Sequence, residues 1–564
     1  MSAFRRLLRP YSALSRKNRA GLALVSLVFG LLNAAGNAMY AADHLPSAPA
    51  DLLRFALLAL GSSVLFYFFA ALLLYVLSGR LLSPRAGKTC GPAKKGRGIF
   101  WAAFSVILLG WLPWIVAYYP CSADYDVYSP ISQYLNLIPR SNSFPWFYST
   151  VVGFFYSVGK TLGDKNIGLF LHIAVRAPLM AAVYAHLVSK LSLRGVRTGV
   201  LWAVTLFYAF VPVWGAYAKH AFKDTLSAAL FCWYIVCTVD AADALRSGDG
   251  GLKPFALQAA ASLMICLFRN NCILICAPVT LLLLVPLFRR PAFRGRRMRI
   301  CAVCLSGLLL FGGYQLYIRK AENVAPGSPR SALTVLFQQT ARTVRDEEER
   351  ISEEDRAVLS AAFDYPRLGA AYDPVLSDPV KALYTGGEET FRAYLRAWAR
   401  MAVRHPRPYL EAALSQGYGY YAFTPDQPEH AGNWNCGMTI FNWVKDSRFD
   451  SSLTGDYTDA SGPVRQLLED WADLWHRLPL LGFLDDMPLY TWFIVCAGLL
   501  MMWRKQQLSL IPVLACLLNV LLCCCSPVND CFRYFAPVAA AAPACLLLPF
   551  SLSSPGESTA LARS

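Results

Sequence analysis

The sequence is poor in charge. Only 16% of its 564 residues are Asp, Glu, Lys or Arg, against roughly 25% in an ordinary soluble protein. Hydrophobic residues make up 56%, and the mean hydropathy is +0.38. This balance excludes a soluble multidomain enzyme and a disordered chain. Nucleotide motifs are also missing: there is neither a P-loop nor a G-x-G-x-x-G pattern. No C-x-x-C pair stands outside an apolar run, so a zinc site has no basis in the sequence. Most of the 17 cysteines lie in apolar runs and act there as small hydrophobes. Cys121, Cys436 and Cys531 are the ones expected outside such runs, where two of them could pair.

The net charge of +17 is unevenly spread. Residues 319–486 hold 25 of the 36 Asp and Glu and carry −7, leaving +24 on the rest. The basic residues cluster at the ends of apolar runs, for example Arg80–Arg97, Arg289–Arg299 and Arg504–Lys505. These clusters lack interleaved aromatics, which argues against nucleic acid as a partner. Short Lys/Arg-rich loops stay cytoplasmic, so the charge is mainly a topology signal.

A span needs about 20 mostly apolar residues. Twelve candidate runs occur: 20–40, 52–78, 99–119, 168–190, 198–216, 224–243, 255–268, 272–288, 300–318, 488–503, 507–525 and 533–550. The expected protein is therefore all-α and polytopic, with the lipid bilayer as its solvent. About twelve transmembrane helices carry one mainly helical extracytoplasmic insert, and both termini are cytoplasmic. Four regions follow: 1–98, a two-span extension with basic segments; 99–318, a membrane core with an external loop at 120–147; 319–486, the acidic insert; and 487–564, three spans and a short tail. Residues 144–163 are apolar but short, and the positive-inside rule places them on the outer surface. Arg269-Asn270-Asn271 breaks 255–288 into two short spans.

Acidic residues are scarce in the membrane part, so each is informative. Asp124 and Asp126 form a D-x-D loop after the third run, able to hold a divalent cation such as Mg or Mn or to supply a general base. The other reading is a pair of solvated loop aspartates. Lys223 and Asp224 open another run, as a topological anchor or a phosphate site. Lys219 and His220 nearby suggest interfacial charge. Arg269 sits between two apolar runs and suits bidentate phosphate contacts. Arg176 lies within a span and needs an acidic or phosphate partner, whereas His172 is expected to be packed. Arg533 and Tyr534 open the last span. Under this topology all these sites lie near the outer interface, which suits an anionic phosphate whose apolar tail stays in lipid.

Read in order, these stretches resemble the GT-C class of membrane glycosyltransferases: Asp124-Tyr125-Asp126, SFPWFYSTVVGFFYSVGKTLG, the span with Arg176, FKDTL, FRNN and FRYFAP. More narrowly they resemble a group of uncharacterised bacterial multi-pass proteins within or near that class. LFQQTART, AAYDPVLSDPVKALY and RHPRPYLEAAL are similar to that group's extracellular region. The FRNN turn lacks the glycine expected after its Asn pair, and the insert precedes the last three spans. The resemblance implies a polyprenyl-phosphate sugar donor, a glycan or cell-wall acceptor and inverting transfer on the extracytoplasmic face of the plasma membrane. Asp124 or Asp126 would be catalytic. Lys223, Asp224, Arg269, Arg533, Tyr534 and Arg176 would bind the donor phosphate. GYGYYAFTP and Trp434 would contact the acceptor, or the insert would be a structural cap. The competing classes are a transporter or flippase of a lipid-linked envelope precursor and a non-enzymatic polysaccharide-assembly protein.

Overall fold

The computed structural model describes residues 15–78, 93–248, 251–327, 333–425 and 442–548. Among these residues the fold is helical, with only isolated β-bridges beside the helices. The chain starts with α1 (Arg16–Ala42) and α2 (Pro49–Ser78). Next come α3 (Ala93–Ala117), the short α4 (Tyr125–Tyr134), α5 (Trp146–Thr161) and α6 (Lys165–Leu193). The first membrane block ends with α7 (Thr198–Phe210), α8 (Pro212–Lys219), α9 (Lys223–Ser247), α10 (Lys253–Phe268), α11 (Ile273–Arg289) and α12 (Arg297–Lys320). The insert holds α13 (Thr334–Glu347), α14 (Glu353–Ala362), α15 (Tyr365–Leu368), α16 (Asp378–Ala382), α17 (Glu388–Arg404), α18 (Pro406–Ser415) and α19 (Gly462–Arg477). Last come α20 (Met487–Trp503), α21 (Leu510–Cys524) and α22 (Phe532–Leu547).

Each of the twelve apolar runs falls on helix. Among the described residues eight helices are long and apolar enough to cross a membrane, or nine if the pair α7–α8, bent by 50°, is one span. The helices α10, α20 and α22 are shorter but apolar. With 16 residues, α5 is not among the candidate spans. Large apolar side chains lie open on the bundle surface, such as Leu57, Leu60, Leu65 and Leu72 of α2. A water-soluble monomer does not expose such a contiguous face, so the protein is membrane-embedded. At the centre stands α9: 89% of its apolar window is buried, against 56% or less in the other candidate spans. The hairpin of α1 and α2 depends on Gly30, because a Cβ there would strike the Ala59 carbonyl and the Ser63 hydroxyl.

The insert builds its own core. Phe337 packs on Tyr384 at 5.0 Å and on Phe363 at 5.1 Å, with Tyr394 and Met401 buried beside them. Arg342 and Arg345 tie this core to the membrane part through Asp43. Arg342 on α13 is fully buried and pairs with Glu411 at 3.0 Å, Asp346 at 3.2 Å and Asp43 at 2.7 Å. Asp43 caps the end of α1 in a left-handed conformation.

The structure narrows two open readings. Cys121 and Cys531 are both buried and are not joined to each other; Cys436 lies outside the described residues. Tyr418 and Tyr420 of GYGYYAFTP point inward, so their rings face protein and not an acceptor. Trp434 lies outside the described residues.

Removing Arg342 leaves the buried Glu411 with only Arg407 and the half-buried Asp43 with only Arg345. Loss of one partner from a fully buried pair costs about 3–5 kcal/mol, and the cations that stay reduce that figure here. Arg342→Ala should lower the thermal midpoint of the detergent-solubilised protein markedly. An unchanged midpoint would show that the insert is held in some other way.

Candidate functional site

Four distant segments meet at the insert face of the bundle. Asp124 caps α4: its side chain accepts the Asp126 amide at 3.0 Å, so both carboxylates stand at one helix start. Asp126 is bound by Arg533 on the first turn of α22. Arg533 also reaches the Tyr534 hydroxyl at 3.4 Å and lies 5.2 Å from that ring. Arg269, in the turn between α10 and α11, donates to the Tyr534 carbonyl at 3.4 Å and lies 3.9 Å from Asp224. Lys223, the first residue of α9, lies 3.7 Å from the other Asp224 oxygen. The sequence-predicted residues Asp124, Asp126, Lys223, Asp224, Arg269, Arg533 and Tyr534 thus form one chain of contacts.

Two of these ion pairs are loose. At 3.7 and 3.9 Å, the contacts of Asp224 are too long for hydrogen bonds, and its Oδ2 has no hydrogen-bond partner. Lys223 and Arg269 therefore keep donors to offer to a further anion. The starts of α4, α9 and α22 converge here, which adds the positive ends of three helix dipoles.

The two aspartates are differentiated. Burial first, and the charge of Asp126 second, push the Asp124 carboxyl up to about 7 against the pull of Arg533 and Lys223. Burial also acts on Asp126, but Arg533 and Lys223 outweigh it and hold that carboxyl below the usual range. One carboxylate is fixed in its charged form, and its neighbour changes protonation near neutrality. Tyr148 on α5 fastens the site from below, donating to the Ala221 carbonyl at 3.1 Å and the Asp126 carbonyl at 3.4 Å.

Arg176 stands apart from this chain. It is buried, and it donates to the carbonyls of Ala218 at 3.1 Å and of Tyr217 and Phe222 at 3.3 Å, and to the Thr225 hydroxyl. Carbonyl oxygens provide the partners that the sequence leads one to seek in an acid or phosphate. It braces the break between α8 and α9, which positions Lys223. Lys219 and His220 are not interfacial, since both are buried. Lys219 donates to Ser122 at 2.8 Å and to Asn442 at 2.7 Å, with its ammonium 3.4 Å from the Tyr118 ring centroid. His172 is packed, 5.7 Å from the Phe155 ring.

Two further groups belong to the site. The Tyr125 ring lies near Phe449 at 5.8 Å and Phe144 at 5.9 Å, with Arg448 at 4.7 Å. Phe144 in turn lies 5.2 Å from Lys223. Arg448 and Phe449 come from the insert, where RFD is one charged surface stretch among several and carries no signal. Tyr148 is one of 28 tyrosines and likewise carries none. Among the described residues no group of three or more His, Cys, Asp or Glu could hold a metal ion.

These features define a polytopic membrane protein with a buried carboxylate and cation cluster at one end of its bundle. The chain belongs to a family of unknown function, DUF6020, whose sequence model matches residues 101–560. No curated protein and no solved structure matches it.

Because folding raises the Asp124 pKa from its ordinary 3.8 to about 7, the native state binds that proton more tightly than the unfolded chain. The group therefore costs stability as pH rises from about 4 to 7, and the cost is complete above 7. Asn keeps the cap and removes the charge. Asp124→Asn should melt above wild type at pH 8, with the difference shrinking as pH falls toward 4. A difference that ignores pH would refute the raised pKa.

Proposed function

We propose that the protein is a GT-C-type membrane glycosyltransferase. It takes a sugar from a polyprenyl-phosphate donor and passes it to a glycan or cell-wall acceptor on the extracytoplasmic face of the cell membrane. In this reading about twelve spans cross the bilayer, both termini are cytoplasmic and the 319–486 insert is extracytoplasmic. The observation that carries it is the buried carboxylate pair Asp124 and Asp126 in one chain of contacts with three cations, Lys223, Arg269 and Arg533, drawn from separate helix ends.

The chemistry follows from these groups. The acceptor hydroxyl attacks the anomeric carbon while the bond to the donor phosphate breaks, giving inversion in one displacement. Asp124 takes the hydroxyl proton, and a pKa near the working pH suits a general base. Asp126, held charged by Arg533, fits that role less well and orients the cation. Lys223 and Arg269 stabilise the negative charge that gathers on the leaving phosphate. Asp224 holds those two cations toward one point. Asp124 and Asp126 are the ligands a divalent cation would use. Its role would be to neutralise phosphate charge. The binding of Asp126 to Arg533 weighs against a resident ion.

Loss of a general base costs about 10²–10⁴-fold in rate, and loss of one stabiliser of developing charge about 10²–10³-fold. In membranes supplied with polyprenyl-phosphate sugar, Asp124→Asn should slow transfer about 10²–10⁴-fold and Arg269→Ala about 10²–10³-fold. Wild-type transfer should climb with pH through about 7, a limb the Asn variant lacks. Full activity of Asp124→Asn would sink the assignment. Donor translocation with no sugar transfer would point to a flippase.

A further inference from the structure

The opposite end of the bundle carries cations that the site above does not use. Arg246 lies in the last turn of α9, whose first residue is Lys223, so the two lie about 35 Å apart along one helix. Arg289 ends α11, and Arg504 and Lys505 follow α20. Between these ends lies a cavity of about 590 Å³ with Arg246, Arg289, Arg290, Arg504 and Lys505 in its wall.

Among the described residues that line this cavity, none is acidic. The nearest acids on α9 are engaged to one side. Asp240 holds Lys190 at 2.6 Å and Arg194 at 3.1 Å. Asp243 holds Arg194 at 2.8 Å and Arg246 at 3.1 Å. Arg290 clamps the end of α9 through the carbonyls of Leu245 and Arg246. Arg289 and Lys505 remain exposed on the cavity wall.

The wall also has an apolar half. Leu282, Val285, Pro286 and Arg289 follow at helical spacing on α11 and all line the cavity. An apolar stripe therefore runs along the helix directly to a guanidinium. Leu508 and Ile511 face it from the other side. Topology alone requires cations at one membrane face. It does not require them to converge at the foot of an apolar groove.

We infer that this cavity binds the phosphate of an anionic phospholipid, with an acyl chain along Leu282 and Val285 and the headgroup at Arg289 and Lys505. Basic pockets between membrane helices recognise such headgroups. A free phosphate would meet the same cations but leave the apolar stripe without a role.

The test uses the full chain in mild detergent, with retained lipid counted by native mass spectrometry. Wild type should retain phosphatidylglycerol over phosphatidylcholine. The R289Q/K505Q double variant should lower that retention about tenfold or more. R294Q/R299Q removes the same charge from exposed positions outside the cavity and should leave retention unchanged. Both sites are exposed, and an unaltered thermal midpoint confirms the fold. Equal loss in both double variants, or no headgroup preference, would overturn the inference. Displacement of the lipid by equimolar inorganic phosphate would overturn the lipid source and assign the site to a free anion.

Discussion

The ion pair between Asp126 and Arg533 fixes the architecture at the insert face. Its partners are 407 residues apart, and both are largely withdrawn from water. Neither charge is tolerable alone in such a place. The loop after α3 and the start of α22 must therefore meet, which brings the first membrane block against the last three helices. Arg269 extends the constraint: through the Tyr534 carbonyl and Asp224 it ties the α10–α11 turn and the start of α9 to the same point.

The insert then acts as a clamp on irregular backbone. The loop that delivers Asp124 is held by segment 442–457. The Ala123 amide donates to the Trp443 carbonyl at 2.7 Å, and the Gly455 amide donates to the Tyr128 hydroxyl at 2.9 Å. The loop that delivers Arg533 is held by Tyr420 and Gly419. The Tyr420 hydroxyl donates to the Val528 carbonyl at 3.0 Å, and the Gly419 amide donates to Asn529 at 3.1 Å. Loop amides and carbonyls at a membrane boundary need such partners. This gives GYGYYAFTP a structural purpose: its inward rings brace one arm of the site.

The helices and most of the cluster could be read from residue order, because both follow from local rules. Apolar runs of sufficient length become helices whatever surrounds them, and scarce charges beside those runs must gather or face water. What escaped was set by tertiary partners. Arg176 looked like an anion binder, since the carbonyls released by the bend between α8 and α9 leave no mark in sequence. Lys219 looked interfacial because Ser122, Asn442 and the Tyr118 ring come to it from elsewhere. Arg448 and Phe449 sit in a charged stretch no different from its neighbours. A side chain's type restricts its chemistry, but only the fold decides whether its donors are already committed.

The same distinction separates the two ends of the bundle. At the insert face each cation of the cluster meets a carboxylate, tightly for Arg533 and loosely for Lys223 and Arg269. Loose pairing in a site screened from water leaves attraction for a charge that develops nearby, because the partner groups need not first be desolvated. At the other face none of the described residues that line the cavity is acidic. Cations at the foot of an apolar groove suit an anion that is charged from the outset, as the inferred lipid would be. Both ends share α9, and α11 runs from the turn that carries Arg269 to the cavity at Arg289.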